Sequence, residues 1–385
     1  MTNKLVYGFV LADLHFGASP LLRFNQELDD GLFNEIKMRE KPLDFIVIAG
    51  DLNDMKETVS SDVTKAIVTF LYRLIVETHE FNTQIVIIEG TRSHDSLQGS
   101  TYQHIIQTYM KCDRVTFISQ ARAAFLCGMK VLYLPEEYVL DQDAYYKEFF
   151  CQRYDMIFGH GMINQWYTKN ISNDSSTTIN RTAPIFDVDQ LCKIGNYIYF
   201  GHIHDHLTYG ENNRFHYVSS YTKWQFDQTG QCGFYEVCYD RTSQTAIETY
   251  HENTECPVIK TYRFQFRTES IDEINRRLDK CLDDNYDICD KLRFKIILYS
   301  SIKDFEAIQL HIRTKMKYYP KVKVVLDIID LQEKEKEEQA IQEMESKPYL
   351  CNRGDPDENR IADFILQKQN QSVPLDIIRE VCGID

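Results

Sequence analysis

The fold is read from Asp44-Phe45-Ile46-Val47-Ile48-Ala49-Gly50-Asp51-Leu52-Asn53-Asp54. Its short apolar run has the pattern of a buried strand, closed by a glycine and a carboxylate. A carboxylate at the C-terminal end of a core strand in an α/β sheet faces the crevice where such folds bind ligands. With two oxygens, Asp51 can bridge two cations, and strands on either side deliver further ligands to the same place.

The 385 residues suggest two or three domains, and 43% hydrophobic with 26% charged residues fits a soluble globular chain. A net charge of −15 argues against a broad nucleic-acid-binding surface, which needs Lys and Arg. It leaves a nuclease open, because bound cations reverse the local charge and a partner can supply a basic channel. Eleven cysteines lack metal-like spacing, and Met1-Thr2-Asn3-Lys4 runs straight into a strand, so a reduced, cytoplasmic protein is expected. No apolar run approaches the length of a membrane span.

Lys4 to Ala12 reads as a first strand, running into Asp13-Leu14-His15-Phe16-Gly17. On an extended chain, residues two apart face the same way, so Asp13 and His15 can grip one ion. Residues 29–40 and 61–79 read as helices. Asp54 reads equally as a turn residue or as a group beside the cations. Strand 84–88 leads into Glu89-Gly90-Thr91-Arg92-Ser93-His94-Asp95. This loop aims His94 at a substrate and offers Arg92 either to a phosphate or to solvent. A helix near 100–111 is followed by strands at 114–118, 123–126 and 129–134, read as a meander at the sheet edge. Tyr154 to Phe158 leads into Gly159-His160-Gly161, residues 164–183 read as an exposed polar loop, and Asn196 to Phe200 leads into Gly201-His202-Ile203-His204. A single His at a strand end is usually structural. Asp13, His15, Asp51, His160, His202 and His204 at successive strand ends point together to a shared metal site.

The ordered set Asp13-x-His15, Gly50-Asp51-x-x-Asp54, Ser93-His94-Asp95, Gly159-His160-Gly161 and Gly201-His202-x-His204 resembles the calcineurin-like metallophosphoesterases. Within them it is similar to the Mre11/SbcD nuclease branch, including phage recombination nuclease subunits, which would place a phage-encoded chain in the host cytoplasm. The resemblance covers roughly residues 1–240. It implies a metallophosphoesterase β-sandwich flanked by helices, with one ion on Asp13, His15, Asp51 and His204. A second ion is implied on Asp51, His160, His202 and the residue before His94, which here is Ser93. Mn²⁺ is the favoured metal, with Mg²⁺ next. His94 would stabilise the reacting phosphorus or protonate the leaving oxygen, with Asp54 orienting its ring. One position departs from the family pattern, which has an Asn directly before this His. Ser93 is a poorer donor, so a weakly held second ion, completed by substrate, is expected.

From residue 257 the pattern becomes strand 259–266, helix 270–283, strand 292–299, helix 303–317 and strand 321–329. Residues 257–330 are thus read as a small α/β unit; the resemblance implies that residues 1–256 are the nuclease domain and that 257–330 form a capping domain that covers DNA, the alternative being a stabilising appendage. Residues 331–347 read as a charged helical linker and 348–385 as a helical pair. Such a pair cannot bury its apolar face alone, so it is expected to bind a partner or to fold back; the resemblance implies that the partner is a Rad50/SbcC-like SMC-type ATPase. The resemblance further implies a homodimer, DNA as substrate, and 3′-5′ exonuclease and single-strand endonuclease activity in recombination, repair or replication. A small-molecule phosphodiesterase and a catalytically silent scaffold of the same complex are the alternatives.

Overall fold

A computed structural model describes residues 4–330 apart from 96–97, 171–182, 227, 229, 268, 288, 299–301 and 320–321. The expected linker and helical pair, 331–385, lie outside the described residues, as do Asn173 and Asn180 of the polar loop.

The protein is α/β. Strands β1 (Leu5–Leu11), β2 (Phe45–Ala49), β3 (Gln84–Ile88) and β4 (Val115–Ile118) form a parallel array. The chain then crosses to a second sheet through β5 (Arg122–Leu126), β6 (Met129–Leu134) and β7 (Tyr154–His160). A two-stranded pair, β8 (Met162–Ile163) with β9 (Ile185–Phe186), precedes β10 (Gly195–Gly201), β11 (Leu207–Tyr209) and β12 (Phe215–Tyr217). Finally β13 (Gly233–Asp240) and β14 (Thr245–Glu252) return to the first sheet. The two six-stranded sheets have the orders β14-β13-β1-β2-β3-β4 and β11-β12-β10-β7-β6-β5. The expected edge meander is therefore split: 115–118 closes one sheet, while 122–126 and 129–134 begin the other.

Four layers follow from strands apolar on both faces. Val10, Ala12, Phe45, Val47 and Ala49 point inward to meet Met156, Phe158 and Tyr199 of the opposite sheet. Their neighbours Phe9, Leu11, Ile46 and Ile48 face outward onto helices Leu21–Leu28, Asp62–Glu77 and Gln98–Ile105. Ile157, Ile198 and Phe200 pack on the far side against helices Gln142–Phe150 and Val188–Ile194, which periodicity alone did not disclose. Asn164–Asn170 is helical rather than loop.

The helix expected at 29–40 begins at Leu21 and passes through a π-helical turn, Asp29–Phe33, before Asn34–Met38. The turn has an identifiable cause. Tyr221 Oη accepts from Leu32 N at 3.0 Å and donates to the Glu27 carbonyl at 3.1 Å, so a side chain enters the helical ladder. Gly31 permits this approach, since a Cβ there would collide with that hydroxyl.

The appended residues form a parallel sheet, β15 (Ile259–Phe266), β16 (Lys291–Leu298) and β17 (Lys323–Asp330), with helices Ile271–Asn285 and Ile302–Lys315. It has its own core, including Leu278, Leu292, Phe294 and Ile312. Arg23 clamps the Asp290 carboxylate and reaches Glu27 Oε1 at 3.3 Å, and Lys291 Nζ donates to the Trp224 carbonyl at 3.2 Å.

Candidate metal centre

The parallel strands β1, β2 and β3 end on one rim, and β7 and β10 of the facing sheet end beside them. The loops leaving β1 and β2 run side by side, with Asp13 N donating to Gly50 O at 3.0 Å and His15 N to Asp51 O at 3.0 Å. Leu14 and Phe16 turn into the core while Asp13 and His15 turn to the rim, the alternation expected. The backbone is not extended, however. Asp13, His15, Asp51 and His202 have φ of 49°, 43°, 49° and 95°, each costing on the order of 1–3 kcal/mol in a non-glycine residue. Such strain persists only where neighbours over-determine it, and here the His202 amide is held at 3.0 Å by the Asp13 carboxylate.

Asp51 is buried at the middle. Its Oδ2 lies 3.6 Å from His15 Nε2 and its Oδ1 lies 3.4 Å from His160 Nε2, so its two oxygens face two different imidazoles. On one side His15 Nε2 and His204 Nε2 are 3.2 Å apart, with Asp13 Oδ1 at 3.9 and 3.8 Å from them. On the other, His202 Nδ1 is 3.1 Å and His160 Nε2 3.9 Å from Glu136 Oε2. Overlapping groups of three emerge, namely Asp13/His15/His204, His15/Asp51/His94, Glu136/His160/His202 and Asp13/Asp51/His160, each with ligand atoms within 4.8 Å of one another. Buried His, Asp and Glu groups of this kind can hold metal ions.

Hydrogen bonds settle which ring nitrogens are presented. His160 Nδ1 donates to the Ala49 carbonyl at 2.8 Å, leaving Nε2 for the site. His94 likewise spends Nδ1 on the Asp54 carbonyl, so its Nε2 is the free atom. The expected orienting contact from Asp54 thus comes from its backbone. Its carboxylate instead lies 3.6 Å from His15 Nδ1.

Burial pushes Asp51 upward, yet His160, His15 and His94 outweigh it and hold the carboxyl below its ordinary range. Burial opposes the charged form of His160, but Asp51, Asp13 and Glu136 raise it well above the usual value. Burial raises Asp13, against the pull of His160. His204 is pushed down to about 3 by burial and by His15, which keeps its imidazole neutral and its lone pair available.

Six of the seven expected ligands, Asp13, His15, Asp51, His160, His202 and His204, meet here. Ser93 does not. It is exposed on the short helix Arg92–Asp95, and Thr91 fills the corner in its place. Thr91 N donates to Asp51 Oδ1 at 2.6 Å, and Thr91 Oγ1 lies 3.3 Å from His160 Nε2 and 3.4 Å from His202 Nδ1. The two extra residues between Gly90 and His94 become a helical turn that rotates Ser93 outward. Arg92 is exposed, its guanidinium 5.6 Å from the Tyr138 ring centroid.

Besides Thr91, three participants had no role assigned from the sequence, although Asp95 stands in the quoted Ser93-His94-Asp95 motif. Glu136 follows β6, the same strand-end signal as the other ligands, but that segment was read as an edge. Asp95 is buried and accepts from Leu52 N, Asn53 N and Gly90 N at 3.0–3.2 Å, tying the second and third loops together. Trp224 gave no signal, and its indole stands 4.3 Å from His15 and 4.6 Å from His204, ring centre to ring centre. Among the described residues no helix is long and apolar enough to cross a membrane. No family model matches the chain, and no curated protein matches it.

Proposed function

We propose that the chain is a metal-dependent DNA nuclease of the Mre11/SbcD kind, built on a metallophosphoesterase sandwich and hydrolysing phosphodiester bonds at this centre. The observation that carries the reading is the convergence of Asp13, His15, Asp51, His160, His202 and His204, from four separate strand ends, around one buried rim. Two bound divalent cations, Mn²⁺ or Mg²⁺, supply water activation and charge neutralisation at the scissile phosphate. Asp51 spans the two sides, with the Thr91 amide fixing one of its oxygens. His94, oriented by the Asp54 carbonyl, presents Nε2 to the substrate and, when protonated, delivers that proton to the leaving oxygen. Trp224 packs its indole against the His15 and His204 rings.

A polymeric substrate is favoured by the appended unit, which reaches the same rim through Lys291 and the Trp224 carbonyl. In this reading residues 257–330 cap DNA, residues 348–385 recruit an SMC-type ATPase at the end of the charged linker 331–347, and the chain works as a homodimer. The test compares Mn²⁺-dependent turnover of DNA and of a small phosphodiester. DNA cleavage is expected, with His94→Ala lowering it by roughly 10²–10⁴-fold while Mn²⁺ binding persists. Turnover of the small ester alone would make the protein a small-molecule phosphodiesterase, and DNA binding without cleavage would make it a scaffold. Loss of ATPase co-purification on deleting 348–385 checks the partner.

A further inference from the structure

We infer that Glu136 is itself a metal ligand, giving the second cation position its own carboxylate, so that a second Mn²⁺ resides in the protein before any DNA binds. The inference rests on the two-cation reading above and changes what that reading expects of the second ion.

Glu136 and Glu137 are adjacent, and the fold uses them differently. Glu137 turns away from the rim, its Oε2 accepting from Ala121 N at 2.7 Å and its Oε1 from Tyr145 Oη at 2.7 Å, which pins the turn leaving β6. Glu136 is aimed inward, with only 4% of its side chain exposed. Its Oε1 is held by Tyr138 Oη at 3.0 Å, while Oε2 faces His202 Nδ1 at 3.1 Å, Thr91 Oγ1 at 3.2 Å and His160 Nε2 at 3.9 Å. Its ionic partners are thus imidazoles, the same rings whose free nitrogens face the site. A buried carboxylate fixed at one oxygen, with the other directed at two imidazole nitrogens, is the arrangement of a ligand held ready by a supporting hydrogen bond.

Charge makes the consequence definite. Asp13, Asp51 and Glu136 bring three negative charges to two divalent cations, whereas a neutral donor at the Glu136 corner would leave two. The loop after β3 supplies only the neutral Thr91 hydroxyl at this corner, and Glu136 adds a carboxylate to it from another loop. A hard divalent cation such as Mn²⁺ is held the more firmly by each added carboxylate oxygen.

The experiment measures Mn²⁺ stoichiometry on the full chain without DNA, by equilibrium dialysis, with low-temperature electron paramagnetic resonance to detect a coupled Mn²⁺ pair. Wild type is expected to bind two ions and show the pair signal. Glu136→Gln keeps the shape and the Tyr138 contact but removes the charge. It is expected to retain one ion, lose at least about tenfold in affinity for the other, and lose the pair signal. Glu136→Asp, which keeps the charge on a shorter stem, should fall between them. The inference is overturned if wild type binds one ion and gains the second only with DNA, a result that needs no variant. It is also overturned if Glu136→Gln binds two ions as wild type does. The two readings fail separately: a resident, Glu136-dependent pair without DNA cleavage sinks the nuclease proposal alone, and DNA cleavage with a Glu136-independent pair sinks this inference alone.

Discussion

His160 grips its proton because Asp51, Asp13 and Glu136 crowd a ring that is buried and already donating from Nδ1. A cation entering at Nε2 must displace that proton, so binding and protonation compete. The raised value fixes the sign. Below it His160 is charged and the cation is opposed, so Mn²⁺ affinity should climb as pH rises from about 6.5, the ordinary imidazole value, and level off only when His160 is deprotonated. Calorimetry in buffers of different ionisation heat should register protons released on binding. An affinity flat above pH about 6.5 would contradict this account. At this scale the Asp and His ligands were legible because each follows a strand, where sequence position and spatial position coincide. Thr91 was not, because counting back from His94 assumed a loop where the chain makes a helical turn. Glu136 was not, because its strand was assigned to an edge.

Between elements, the junction of the first helix with the segment after β12 shows what hydrophobic period cannot reveal. The apolar positions Phe24, Leu28, Leu32, Phe33 and Ile36 all reach the core, but only with a π turn between them, and the cause of that turn is Tyr221, far along the chain. Tyr221→Phe removes the acceptor for Leu32 N and the donor to the Glu27 carbonyl. The buried amide left without a partner should cost about 1–3 kcal/mol, measurable as a lower denaturant midpoint with little change in slope. An unchanged midpoint would mean the helix re-forms regular bonds without the hydroxyl. Strand order was partly legible: β1 to β3 were read correctly as successive core strands. The move to the second sheet after β4 was not, since an apolar strand carries no mark of which sheet it joins.

Across the whole molecule, the appended unit and the metal centre are linked through one short segment. Glu27 takes Thr222 Oγ1 at 2.5 Å and Arg23 Nε at 3.3 Å, Arg23 continues to Asp290, and Lys291 reaches the Trp224 carbonyl at 3.2 Å. Sequence disclosed the order of strands and helices in the appended unit but not this route, which is made of single polar contacts between distant positions. Trp224 is one of only two tryptophans in the chain. With Trp166 replaced by Phe, its emission becomes an optical gauge of what sits between His15 and His204. Paramagnetic Mn²⁺ arriving there should quench that light and Mg²⁺ should not, while Lys291→Ala should shift the emission without either ion, reporting from the same indole that the appended unit has let go.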